Sequence, residues 1–106
     1  MRRATRKDAN HAEVIRAFER LGCSVIDVSG TPCGFDIVVG YAGQSRLVEI
    51  KDGTKPPSAR KLTTNEAKIH GRWTGGMSIV TDLEDVMRVA NTLRKWHATL
   101  SAAVVK

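Results

Sequence analysis

Three charged residues stand inside segments that otherwise read as apolar β-strands. Asp36 lies in Phe35-Asp-Ile-Val-Val39, and Glu49 and Lys51 lie in Arg46-Leu-Val-Glu-Ile-Lys51. A charge in an apolar strand is costly unless it is paired or holds a metal. Side chains alternate along a strand, so Glu49 and Lys51 share one face, about 7 Å apart. Asp36 joins that face only in a register that pairs Val39 with Arg46 and Gly40 with Ser45. That register leaves a four-residue loop, Tyr41 to Gln44. A one-residue slip sends Asp36 to the opposite face. In the favoured register the Asp36 and Glu49 Cβ atoms lie about 5 Å apart.

Two bare carboxylates at that distance repel, and one is pushed toward protonation. A divalent cation between them removes the conflict, and hard oxygen donors suit Mg²⁺, with Mn²⁺ as a substitute. Such a centre is equipped for phosphodiester hydrolysis. The metal acidifies a bound water and stabilises charge on a phosphoryl oxygen. The Lys51 ammonium orients that water or neutralises the developing charge. The competing structural reading is a plain ion pair of Lys51 with a carboxylate on an exposed sheet face.

Several elements must position these residues. Asn10 and Glu13 have capping-box spacing ahead of a helix whose apolar face is Val14, Ile15, Phe18 and Leu21, ended by Gly22. Cys23 to Val28 reads as a first strand, and the two charged segments as a hairpin. Thr63-Thr-Asn-Glu66 is a capping box for a short helix to about His70. Met77 to Val80 is a short buried strand. Thr81-Asp-Leu-Glu84 is a further capping box. It opens a helix with Leu83, Val86, Met87, Ala90 and Leu93 on its apolar face. The order α-β-β-β-α-β-α predicts an α/β single domain, a mixed sheet flanked by helices, with a C-terminal helix. Residues 1–7 form a basic arm, 8–96 the domain, and 97–106 a tail or a helix extension.

The 106-residue length allows one domain and excludes a large nucleotide-binding fold. A net charge of +6 points to an anionic partner, nucleic acid first. No stretch is long and apolar enough for a membrane span, and no apolar segment follows the basic start, so a cytoplasmic protein without a membrane partner is expected. Cys23 and Cys33 form no CxxC and read as reduced thiols.

Gly34-Phe-Asp-Ile-Val-Val-Gly40 followed by Leu47-Val-Glu-Ile-Lys-Asp-Gly53, behind a helix with an acidic residue, resembles the PD-(D/E)xK nuclease superfamily. Within it the chain is similar to archaeal-type Holliday-junction resolvases and phage-borne VRR-NUC-like nucleases. The resemblance covers roughly residues 8 to 95 and implies a restriction-endonuclease-like core. It implies Asp36, Glu49 and the Ile50 main-chain carbonyl as metal ligands, Lys51 as the catalytic lysine, and Mg²⁺ as cofactor. Glu13 matches the acidic residue of the first helix, which completes the site; its other reading is a helix cap. Phe35 replaces the proline of the motif. Glu66 stands where many VRR-NUC-like proteins have glutamine.

The expected activity is structure-selective cleavage of branched DNA, with flaps, nicks or duplex DNA, or a silent DNA-binding module, as alternatives. The positive charge concentrates in two places. Arg2, Arg3, Arg6 and Lys7 make an arm of +4; Lys51, Lys55, Arg60, Lys61, Lys68 and Arg72 against Asp52 and Glu66 give 6 − 2 = +4 over residues 51–72. Arg2, Arg3, Arg6, Lys7, Lys55, Arg60, Lys61, Lys68 and Arg72, with Ser29 in the turn before Asp36, are the expected phosphate contacts, which are insensitive to sequence. Two scissile strands need two sites, so a homodimer is expected, with the C-terminal helix as its candidate interface. For a phage-encoded protein the compartment is the host cytoplasm.

Overall fold

The computed structural model describes residues 9–105. Arg2, Arg3, Arg6 and Lys7, the expected arm, lie outside these residues. The elements are α1 (His11–Arg20), β1 (Ser24–Asp27), β2 (Ile37–Tyr41), β3 (Gln44–Ile50), a 3₁₀ turn (Pro57–Arg60), α2 (Thr64–Arg72), β4 (Met77–Val80) and α3 (Leu83–Val105). Their order is the expected α-β-β-β-α-β-α, and they build one mixed sheet in the order β1-β2-β3-β4. β1, β2 and β3 are antiparallel neighbours, and β4 runs parallel to β3. A parallel return needs a crossover, and the segment carrying α2 supplies it.

Alternation assigns the two faces of the sheet. Ile37, Val39, Val48, Ile50 and Val80 join Val14 and Phe18 of α1 and Val86, Val89 and Leu93 of α3 in one core. Asp36 and Glu49 fall at the alternate positions, on the face opposite that core.

Local readings are corrected at three places. Asn10 is the N-cap of α1, but its side chain makes no capping bond. Its Nδ2 donates instead to the carbonyls of Lys51 at 3.2 Å and Thr81 at 3.0 Å, which pins the start of α1 to the ends of β3 and β4. In the hairpin, Val39 pairs with Arg46 and Gly40 with Ser45 as expected, but Tyr41 also pairs with Gln44. The loop is therefore Ala42-Gly43, not four residues. Both adopt positive φ, 50° and 84°, the requirement of a type I′ turn that matches strand twist.

The third correction concerns α3. Asp82, not Thr81, accepts the capping bond, from Asp85 N at 2.9 Å, and the Asp85 carboxylate returns to Thr81 N and Oγ1, both at 2.8 Å. The buried stripe is Val86, Val89, Ala90 and Leu93, while Leu83 and Met87 are exposed. Val89 thus takes the core position expected of Met87. Residues 97–105 extend the helix without a break, and Trp96 and Leu100 are exposed. Among the described residues no helix is long and apolar enough to cross a membrane.

Candidate active site

The β2–β3 hairpin sets Asp36 beside Glu49. Extending the Ile37–Val48 pairing by one position places the two opposite each other. The ladder gives way there. Asp36 N donates to Val48 O at 3.0 Å, and Asp36 Oδ2 accepts the Ile50 N–H at 2.7 Å. The carboxylate thus takes the place of a backbone acceptor. This is why the regular strand begins at Ile37 and not at Phe35.

Glu49 is buried, 3% exposed. The Lys51 Nζ lies 3.5 Å from Glu49 Oε2 and 3.1 Å from Glu66 Oε1. Glu66 reaches this point because α2 begins there. Its Oε1 accepts the Thr63 N–H at 2.9 Å, and Thr63 Oγ1 accepts the Glu66 N–H at 3.1 Å, so the expected capping box forms. The same carboxylate therefore caps α2 and binds Lys51.

α2 is docked through the loop before Asp36. Gly34 has φ of 89°, and a Cβ there would meet Ile69 Cδ1 at 2.7 Å. His70 Nε2 donates to Gly34 O at 3.0 Å. Its ring stacks on Phe35 with centroids 4.2 Å apart and planes 6° from parallel. His70 is a structural clamp.

Asp36, Glu49, Lys51 and Glu66 line one cleft of about 400 Å³, with Ser29 and Asn65 on its walls. Burial, the charges of Asp36 and Glu66, and a hydrogen bond with Glu66 push the Glu49 carboxyl up to about 9; Lys51 opposes them. Burial alone would lower the Lys51 ammonium. The Glu66 hydrogen bond and the charges of Glu66 and Glu49 outweigh it and hold Lys51 above its ordinary value. Burial would raise Glu66, but the Thr63 N–H, Lys51 and Glu49 bonds hold it below the usual carboxylate range. The two carboxyl groups are thus pushed in opposite directions, Glu49 up and Glu66 down, and Glu66 is the carboxylate nearer Lys51.

The other expected residues are placed differently. Glu13 is exposed and lines a separate cleft with Asp52, Thr81 and Glu84. Its helix lies on the core face of the sheet, whereas the carboxylate pair points to the other, so the structure does not bring Glu13 to Asp36. Ser29 does line the cleft, but it is buried and its Oγ donates to Asp27 Oδ1 at 2.6 Å, so that hydrogen is committed. Lys51 is the basic residue of the cleft wall. Lys55, Lys61, Lys68 and Arg72 are exposed outside it and Arg60 is half-buried. Sequence reasoning gave Glu66 a capping role and no part in the site. Its signal was present: a buried ammonium needs an anion besides the metal-binding pair, and the first turn of the next helix offers one.

The donor set fits a hard divalent cation. Three carboxyl groups share one polar cleft, and burial and the other two push one of them upward; a cation relieves that repulsion. Among the described residues no group of three His, Cys, Asp or Glu side chains is placed to hold a metal ion. Two protein carboxylates with an open remainder suit Mg²⁺, which keeps several waters. The Ile50 backbone is at the site, where its amide already holds Asp36. Comparison of the chain with protein-family models, with curated proteins and with solved structures gave no match.

Proposed function

We propose that the chain is a Mg²⁺-dependent, structure-selective endonuclease that hydrolyses phosphodiester bonds in branched DNA, with the four-way junction as its substrate. One observation carries this reading: Asp36, Glu49 and Lys51 share one cleft at the adjoining ends of two antiparallel strands. A cation held by Asp36, Glu49 and the Ile50 carbonyl would supply an activated water and a counter-charge. Lys51 places a positive charge beside the carboxylates, where the phosphoryl oxygen becomes more negative in the transition state. Asp36 keeps its orientation through the Ile50 amide, so its position is set before substrate arrives. Exposed Lys55, Lys61, Lys68 and Arg72 offer phosphate contacts that read backbone and shape, not bases. The described residues hold one such site, so paired cuts call for a homodimer.

The test compares a cruciform, a flap and a linear duplex under equal Mg²⁺. Symmetric paired nicks on the cruciform are expected. Asp36→Asn, whose amide oxygen still accepts the Ile50 N–H, should abolish cutting and leave junction binding in place. Faster cutting of flaps or duplex would refute the junction as substrate. Wild-type protein that binds every substrate and cuts none with Mg²⁺ or Mn²⁺ would refute the enzyme.

A further inference from the structure

Lys51 stands between two carboxylates, and these have unequal claims on it. Glu66 Oε1 is closer, at 3.1 Å against 3.5 Å for Glu49 Oε2. Glu66 is also the better fixed of the two. The same oxygen accepts the Thr63 N–H, and the residue is the third position of a complete capping box. α2 in turn is clamped to the loop before Asp36 by Ile69, His70 and the Phe35 stack. The chain thus holds its buried ammonium from the helix side, with an anion outside the proposed metal pair.

This arrangement has a chemical consequence. A cation entering between Asp36 and Glu49 needs the Glu49 oxygens, and any proton on that carboxyl leaves to solvent as the metal binds. An ammonium that depended on Glu49 alone would compete with it for them, as two cations compete for one carboxylate. With Glu66 present, Lys51 has a second anchor and can give up Glu49 without leaving the cleft. We propose that Glu66 is a positioning residue, which retains Lys51 at the site while Glu49 is handed over to the metal. The proposal rests on the metal-centre reading above.

The test is a double-mutant cycle read by Mn²⁺ binding in calorimetry, without DNA. Glu66→Ala should weaken Mn²⁺ binding by about tenfold in the wild-type background, the scale of a direct coupling between neighbouring side chains. In the Lys51→Met background the same substitution should change it by less than about twofold, because no ammonium is left to hold. Glu66→Gln keeps an acceptor for both Lys51 and the Thr63 N–H, and should stay within about threefold of wild type, since a neutral acceptor retains part of the bond. Thr63→Ala removes half of the helix cap and touches neither charge. It should lower the melting temperature and weaken Mn²⁺ binding by clearly less than Glu66→Ala does, because the Thr63 N–H still holds the Glu66 carboxylate.

An equal loss from Glu66→Ala in both backgrounds would overturn the proposal, since Glu66 would then act only as a distant charge. A loss of Mn²⁺ affinity in Thr63→Ala equal to that in Glu66→Ala would overturn it too, by showing that the helix cap alone matters. Wild-type protein that takes up no Mn²⁺ would overturn the metal centre itself, and the handover with it. Uptake with an additive cycle removes the handover alone.

Discussion

Glu49→Gln should make the metal-free protein more stable while removing its function. Glu49 is 3% exposed, and its carboxyl is pushed from 4.5 up to about 9, first by burial and then by Asp36 and Glu66. Between those two values the folded chain holds a proton that the unfolded chain releases. Stability therefore falls as pH rises through that window, because the native state binds more protons. At pH 7.5 the cost is bounded by about 1.36 × (7.5 − 4.5), or roughly 4 kcal/mol. A glutamine does not titrate, but its buried amide needs partners and loses part of the Lys51 contact. We expect about half the bound to be recovered, about 2 kcal/mol, or roughly 10 °C in melting temperature for a domain this size.

The assay is urea denaturation of both proteins in EDTA from pH 5 to pH 9. Near pH 5 the variant should be the less stable by about 1 kcal/mol, and the two curves should cross near pH 6, where the titration cost equals the loss from the buried amide. They should diverge steadily toward pH 9, with the variant the more stable. Added Mg²⁺ should stabilise wild type by mass action and leave the variant unmoved. Parallel pH profiles, or a variant less stable than wild type at pH 8.5, would refute the reasoning: Glu49 would then be ionised and satisfied in the fold, not held protonated by its neighbours.

The remaining predictions concern the scaffold. Ala42 has φ of 50° in the type I′ turn, so Ala42→Gly should raise stability by about 0.5–1 kcal/mol, measured by urea denaturation, through relief of the left-handed strain. Gly34→Ala should do the reverse. Its Cβ would press Ile69 at 2.7 Å at a φ of 89°, and the melting temperature should fall by several degrees as α2 shifts, on the order of 1–3 kcal/mol for an overpacked, strained site. His70→Ala removes both the Phe35 stack and the bond to Gly34 O. It should cost about 1–2 kcal/mol by chemical denaturation and lower cleavage through displacement of Glu66, with a smaller loss than Asp36→Asn causes.

The pairing of Asp36 with Glu49 was legible in the sequence because period 2 and the apolar strands leave few registers. Val39 with Arg46 and Gly40 with Ser45 then follow, and both are found. The two-residue turn was not legible, because it needs positive φ at Ala42, a residue type that rarely adopts it. The capping box of α2 was readable as a local pattern, but not the second use of its glutamate. Local spacing records that Glu66 caps Thr63. It does not record that the crossover returns α2 over the face carrying Lys51. Glu13 fails for the mirror reason. Its spacing satisfied a local rule, but Val14 and Phe18 commit α1 to the core face, which turns the glutamate away from the carboxylate pair. Local patterns thus fixed which residues cap and which alternate. The side of the sheet on which each helix lands decided which of those residues share a cleft, and for α2 it made a capping glutamate the partner of the buried lysine.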